Sequence, residues 1–143
     1  MNIKLTLFIA LLAFTHINCA ADTIIENSKA PAAITQFIST YYTNLQLVLL
    51  KKDTDLTKTE YEATLNNGTE LTFNNLFKIQ KIEGKVAIPD TLIGKSILQY
   101  VKSNYAGNKI LEWEQKNKQQ KIELDNGIEL YFDLAGNFVR IDN

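Results

Sequence analysis

A ten-residue phrase is written twice in this chain of 143 residues. Leu65-Asn66-Asn67-Gly68-Thr69-Glu70-Leu71-Thr72-Phe73-Asn74 returns as Leu124-Asp125-Asn126-Gly127-Ile128-Glu129-Leu130-Tyr131-Phe132-Asp133. Such a copy means one supersecondary unit used twice, and each unit has an apolar face to bury. The copy extends upstream, where Ala33-Ile34-Thr35-Gln36-Phe37-Ile38 aligns with Ser96-Ile97-Leu98-Gln99-Tyr100-Val101 at an offset of 63, and Tyr42 falls on Tyr105. The hairpins align at an offset of 59, so four residues of length change fall between Leu50 and Tyr61. The polar stretch 51–58 there reads as a loop, because loops absorb insertions.

Each unit opens with a helical pattern. Ile34, Phe37, Ile38, Tyr41 and Tyr42 share one face of a 3.6-residue spiral, and Ile93, Ile97, Tyr100, Val101 and Tyr105 repeat the stripe. Pro31 suits a first turn, and Asp90 or Thr91 can cap the second helix. Strands follow at 45–50, 60–66, 69–74 and 77–83, and again at 109–115, 121–125, 128–133 and 137–142. Tyr61, Ala63, Leu65, Leu71 and Phe73 alternate with polar residues, and Ile122, Leu124, Ile128, Leu130 and Phe132 do the same, so one sheet face is apolar. The alternation of Leu111 and Trp113 against Glu112 and Glu114 places Trp113 in the core. In the last strand, either Val139 and Ile141 point inward with Phe138 outward, or the reverse.

Parity determines the hairpin turn. If Leu65 and Leu71 share a face, a two-residue loop is excluded and a three-residue loop fits. Its common form is a type I turn over Asn66-Asn67 with Gly68 left-handed, which sets Ala63 opposite Leu71 and Tyr61 opposite Phe73. Gly127 plays the same part after Asp125-Asn126. These glycines are backbone devices, and Asp125-Asn126-Gly127 lacks the spaced acidic ligands of a calcium loop.

The start of the chain reads as an address. Lys4, the apolar run 5–14 and the small residues Cys19, Ala20 and Ala21 form a secretory signal peptide over residues 1–21, too short to span a bilayer. The alternative is lipidation at Cys19, the one route by which a membrane would become a partner. The expected location is periplasmic or secreted. Loss of this leader removes His16, Cys19 and Met1, the sole residues of their types. Thiolate nucleophiles, imidazole bases, His/Cys zinc sites and an internal disulfide then have no raw material. No cofactor and no metal is expected.

Charge is nearly balanced, with 15 basic and 16 acidic side chains in the whole chain. The sole Arg is Arg140, and no basic stripe marks a nucleic-acid footprint. Lys51-Lys52 and the 116–121 segment are the densest basic spots, both expected in loops. The polar sheet face carries Glu62, Thr64, Glu70, Thr72, Glu112, Glu114, Glu123, Glu129 and Tyr131, with Phe138 beside them in one register. These ten residues form the candidate protein-binding surface.

The expected architecture is α+β: a 22–29 linker, then tandem repeats at 30–84 and 85–143, each one helix packed on a four-stranded antiparallel meander. At about 60 residues such a unit is marginal alone. Two helices, each followed by a pattern of Leu-Asx-Asn-Gly-x-Glu-Leu-x-Phe-Asx, with Trp113 in a preceding strand, resemble bacterial PepSY-like domains of the beta-lactamase-inhibitor-like group. The resemblance covers nearly all of residues 30–143 and implies a tandem helix-and-sheet repeat that binds protein on its concave face. The chain departs from the secreted beta-lactamase inhibitors in having no disulfide pairs, and no inhibitory contact residue maps to a position here.

The leading functional expectation is an exported noncatalytic module that docks an envelope or secreted protein, a peptidase or other envelope enzyme that it would inhibit being one version. One alternative is a carboxylate hydrolase using two of Glu62, Glu70, Glu112, Glu114, Glu123 and Glu129, which would need one protonated and one ionised partner in a cleft. The other is a carrier of lipid or small ligands, which would need a large apolar cavity between helix and sheet.

Overall fold

A computed structural model describes residues 22–142. The leader, Cys19 and their expected processing lie outside the described residues. Nine strands follow in chain order: β1 (Thr23–Ile25), β2 (Leu47–Thr54), β3 (Thr59–Leu65), β4 (Glu70–Asn74), β5 (Ile79–Glu83), β6 (Ile110–Lys116), β7 (Gln119–Leu124), β8 (Glu129–Asp133) and β9 (Phe138–Asp142). Helices α1 (Ala32–Tyr41) and α2 (Lys95–Asn104) precede β2 and β6.

The strands form one sheet in the order β1 to β9, every neighbouring pair antiparallel. This corrects the expected fold class. The chain is not two repeats of a helix on a separate four-stranded meander, because β5 pairs with β6 and carries the sheet through the repeat boundary. Two isolated meanders would leave four free edges; one continuous sheet leaves two. The residues expected as linker add β1, which pairs Ile25 with Leu50 and covers the edge of β2.

Both helices lie on one face of the sheet, called inner below. Ile34 and Ile38 of α1, and Ile97 and Val101 of α2, are buried against Leu50, Leu71, Phe73, Ile122, Leu130 and Phe132. The contacts repeat with the sequence. Phe37 meets Phe73 edge-on at 5.3 Å between centroids, and Tyr100 meets Phe132 edge-on at 5.4 Å. The second stripe is shorter than expected: α2 starts after Gly94, and Asp90–Leu92 form a separate 3-10 turn, so Asp90 and Thr91 do not cap it. Trp113 is core at 7 % exposure, its indole N–H donating to Gln120 Oε1 at 3.1 Å.

Both hairpins take the expected three-residue, glycine-bulged form. Ala63 faces Leu71 and Tyr61 faces Phe73. Gly68 and Gly127 both have φ +82°, and their N–H groups donate to Leu65 and Leu124 carbonyls. The β4–β5 and β8–β9 turns have the same form, with Phe77 (φ 58°) in the place of Gly136 (φ 85°). A left-handed phenylalanine costs about 1 kcal/mol. Packing of its ring on Tyr61, 5.0 Å away, offsets that cost.

The register left open for the last strand resolves to neither alternative. Phe132 pairs with Phe138, but Tyr131 pairs with Arg140, so Val139 is an extra residue in a β-bulge. Phe138 and Ile141 therefore both sit on the inner face. Gln80 is the matching bulge in β5, since Phe73 pairs with Ile79 while Thr72 pairs with Lys81.

The turn glycines differ in their surroundings. A Cβ at Gly68 would meet nothing within 4 Å, whereas one at Gly136 would lie 3.0 Å from Ser96 Cβ at the start of α2. Gly68→Ala is expected to cost about 1 kcal/mol for its backbone alone. Gly136→Ala should cost about 2 kcal/mol or more, because strain and overpacking add. Urea denaturation of both variants checks the order, and equal losses would refute it.

Candidate functional site

Opposite the helices, the outer face is organised in rows that cross the strands. One row runs Lys51, Glu62, Thr72, Lys81, Glu114, Lys121, Tyr131, Arg140, each opposite the next on the adjacent strand. The neighbouring row runs Thr64, Glu70, Glu83, Glu112, Glu123, Glu129, Asp142. From β4 to β9 that second row holds nothing but carboxylates. Adjacent strands are about 4.8 Å apart, and like charges directly opposite one another destabilise a sheet.

Lysines of the first row offset the repulsion. Lys121 Nζ lies 2.9 Å from Glu112 Oε1 and 3.3 Å from Glu129 Oε1. Lys81 Nζ lies 2.5 Å from Glu83 Oε2 and 3.6 Å from Glu112 Oε1. Glu112 is the centre of the network, its side chain only 9 % exposed. Its Oε1 is buried and lies off the line of a hydrogen bond from Lys121, so the contact is an ion pair. Burial opposes the charge on Lys121, but Glu112 and then Glu129 outweigh it and hold the ammonium above the usual lysine range.

At the β9 end, Tyr131 Oη donates to Glu129 Oε2 at 2.8 Å, and the Arg140 guanidinium lies 3.6 Å over the Tyr131 ring. Arg140 is itself paired with Asp142. The Tyr131 hydrogen bond, assisted by Lys121, holds the Glu129 carboxyl below the ordinary glutamate range. Glu129 therefore adds stability that is present above its unfolded pKa and lost as pH falls through the folded value.

The outer face is concave. A groove of about 650 Å³ has Thr72, Gln80 and Lys81 on its floor and residues of the β2–β3 and β6–β7 hairpins, Lys58 and Lys116 to Lys118 among them, at its walls. A smaller hollow of about 300 Å³ joins Lys121 and Tyr131 to the β6–β7 turn. In that turn Asn117 and Lys118 both have positive φ, the geometry of a tight two-residue hairpin.

Nine of the ten expected surface residues share this face: Glu62, Thr64, Glu70, Thr72, Glu112, Glu114, Glu123, Glu129 and Tyr131. Phe138 does not. It stacks on Tyr100 of α2 at 4.6 Å and 9° on the inner side, because it pairs with inward-facing Phe132, and the Val139 bulge after it lets Ile141 face inward as well. The basic spots expected in loops are on strands as well, Lys51 in β2 and Lys121 in β7. Sequence reasoning missed Lys81, Glu83, Lys121, Arg140 and Asp142 as parts of the face, the last two for want of a register. Among the described residues no cluster of three or more His, Cys, Asp or Glu is arranged to hold a metal ion. No described helix is long and apolar enough to cross a membrane.

A single antiparallel sheet with two helices on one side and a concave, charged face on the other defines a mostly-β protein with one open polar face. The chain belongs to the family described as "Putative beta-lactamase-inhibitor-like, PepSY-like", which matches twice, over residues 14–81 and 80–140. Among solved structures it is similar to a "putative periplasmic protein of unknown function" from Bacteroides vulgatus, at 29 % identity and TM-score 0.81 over 86 % of this chain and 100 % of that one. It is similar also to a "putative calcium-regulated periplasmic protein" from Bacteroides thetaiotaomicron, at 30 % identity and TM-score 0.81 over 85 % and 97 % of the two chains. A further "putative periplasmic protein" from Bacteroides vulgatus matches at 28 % identity, TM-score 0.79, over 85 % of this chain and 97 % of that one. No curated protein matches.

Two substitutions test the electrostatics of the face. Tyr131→Phe removes the donor to Glu129, so the Glu129 titration followed by carboxyl NMR should move to higher pH; an unmoved midpoint would show that the bond is not formed. Lys121→Met leaves the buried Glu112 carboxylate short of its nearest cation and should cost about 3 kcal/mol in urea denaturation. Adding Glu112→Leu should recover most of that loss.

Proposed function

We propose that this chain is a periplasmic, noncatalytic binding module that docks another envelope protein on its outer sheet face. The observation that carries the reading is the concavity of that face combined with its fixed charges. Lys81, Lys121 and Arg140 are held by carboxylate partners, and Tyr131 is clamped between Arg140 and Glu129. Side chains already ordered before a partner arrives lose less entropy on binding, and a Tyr and Arg set in a polar frame are common anchors. The similar structures are described as periplasmic proteins, which supports the location.

The hydrolase alternative is less well supported. It needs a carboxyl held protonated beside an ionised one, yet Glu129 is driven toward ionisation and Glu112 sits between two lysines. The carrier alternative needs an apolar cavity between helices and sheet, and that space is filled by Phe37, Phe73, Tyr100 and Phe132. Inhibition of an enzyme is one form that docking could take; calcium regulation, ascribed to the similar protein of Bacteroides thetaiotaomicron, would be a condition on it.

Photo-crosslinking in the producing cell tests the face directly. A crosslinker at Thr72 or Glu114, on the groove side, should trap a discrete protein, and one at Thr35 or Gln99, on exposed helix positions, should not. Equal trapping from both sides, or from the helices alone, would overturn the outer-face reading.

A further inference from the structure

The outer groove keeps its uncompensated charge at opposite ends. At the hairpin tips, Lys116 and Lys118 have no salt bridge among the described residues, while Lys58 is paired with Glu60. At the other end lies the acidic row, where Glu70 has no salt bridge among the described residues and Glu83 competes with Glu112 for Lys81. Midway, Lys51, Glu62, Lys81 and Glu114 alternate in sign and cancel. The result is a polarised groove, basic at the β6–β7 tip and acidic at its far end, while at the β2–β3 tip Lys58 is balanced by Glu60, Asp53 and Asp55.

Its dimensions suit one extended chain. The wall strands β3 and β6 are three inter-strand spacings apart, about 14 Å, which leaves room for a single backbone with side chains. Along β6, the acidic row at Glu112 and the tip at Lys116 are separated by four residue steps, about 13 Å, or roughly five residues of extended polypeptide. A row of six carboxylates also violates the local preference against like-charged neighbours, and such violations concentrate where function demands them.

We propose that the groove receives a short extended segment of another polypeptide, its basic end on the Glu70–Glu83 side and its acidic end at the Lys116–Lys118 tip. This rests on the outer-face reading above and specifies the partner's chemistry. The segment's cations relieve the repulsion of the acidic row, its anions meet the unpaired lysines, and the neutral middle of the groove passes its central residues without selection. Charge separation along the segment, rather than net charge, is what the groove recognises.

The test is an NMR titration of the purified protein with two blocked hexapeptides of one composition, Asp-Asp-Ser-Ser-Lys-Lys and Asp-Lys-Ser-Asp-Ser-Lys. The charge-separated peptide should bind about tenfold more tightly at low salt, with shifts at Thr72, Lys81 and Lys118 amides. Glu70→Lys with Glu83→Lys should weaken it about tenfold, as should Lys116→Glu with Lys118→Glu. Combining all four should restore binding with the peptide reversed, a rescue that damage to the fold would not give. Equal binding of the two peptides, no binding of either, or indifference to the double variants would overturn the proposal. So would calcium alone reproducing the peptide's shifts, since the groove would then be a cation site. If crosslinks still arise from Thr72 and Glu114 in cells while the peptides are not distinguished, this proposal fails and the outer-face reading stands; if crosslinks are absent from that face, the outer-face reading fails.

Discussion

The pairing of β5 with β6 is the interaction on which the rest of the molecule depends. It consists of three residue pairs, Lys81 with Glu114, Ile82 with Trp113, and Glu83 with Glu112. On the inner side, Ile82 and Trp113 are 1 % and 7 % exposed, so the seam buries two large side chains worth roughly 2–3 kcal/mol each. On the outer side, the same three pairs place Lys81 within reach of both Glu83 and Glu112. Without the seam there would be no shared core, no floor to the groove and no continuous acidic row. A unit of about 60 residues buries too little surface to be comfortable alone, and joining edge to edge both enlarges the core and removes two edges.

What could be seen in the sequence was what period-two alternation and turn chemistry carry. Leu65, Leu71 and Phe73 announced an apolar face, and the number of residues around Gly68 determined which cross-strand partners they meet. The seam was not legible, because pairing between β5 and β6 spans an intervening helix and has no local signature; the two copies read as marginal units side by side sharing a core, each with its own meander. Lys51 to Thr54 continue β2 with polar side chains, which in sequence look like the start of a loop. β1 is three residues long in a stretch with no alternation to detect. Of the candidate surface, Glu62 and Glu123 fall where alternation with inward neighbours puts them, and Glu114 does so because the irregularity of β6 lies before it, between Ile110 and Glu112. Phe138 was misplaced because its strand is not regular.

That irregularity explains both faces at once. If β5 continued from the Phe73–Ile79 pair without interruption, Lys81 would fall opposite Leu71 inside the core and Ile82 would face solvent beside Glu70. One extra residue at Gln80 shifts the pairing, so Ile82 meets Leu71 and Lys81 meets Thr72. Val139 does the same in β9, sending Ile141 inward to Leu130, Arg140 outward to Tyr131 and Asp142 to the end of the acidic row. The Gln80 bulge restores Ile82 to the core, the Val139 bulge turns Ile141 to the inner side at the open sheet edge, and the two shifts bring Glu83 and Asp142 into line with Glu70, Glu112, Glu123 and Glu129.

The acidic row is thus tied to the packing of the apolar side. Any change that removed the Gln80 bulge to ease the repulsion would turn Ile82 out into water and Lys81 into the core, at a cost far above the fraction of a kcal/mol that one like-charged pair represents. The less costly solution is the one present: lysines in the adjacent row bridge the row where it is most buried, at Glu112, while Glu70 and Glu123 have no salt bridge among the described residues. The charge left over at Glu70 therefore sits on the exposed part of the groove lining, within reach of solvent.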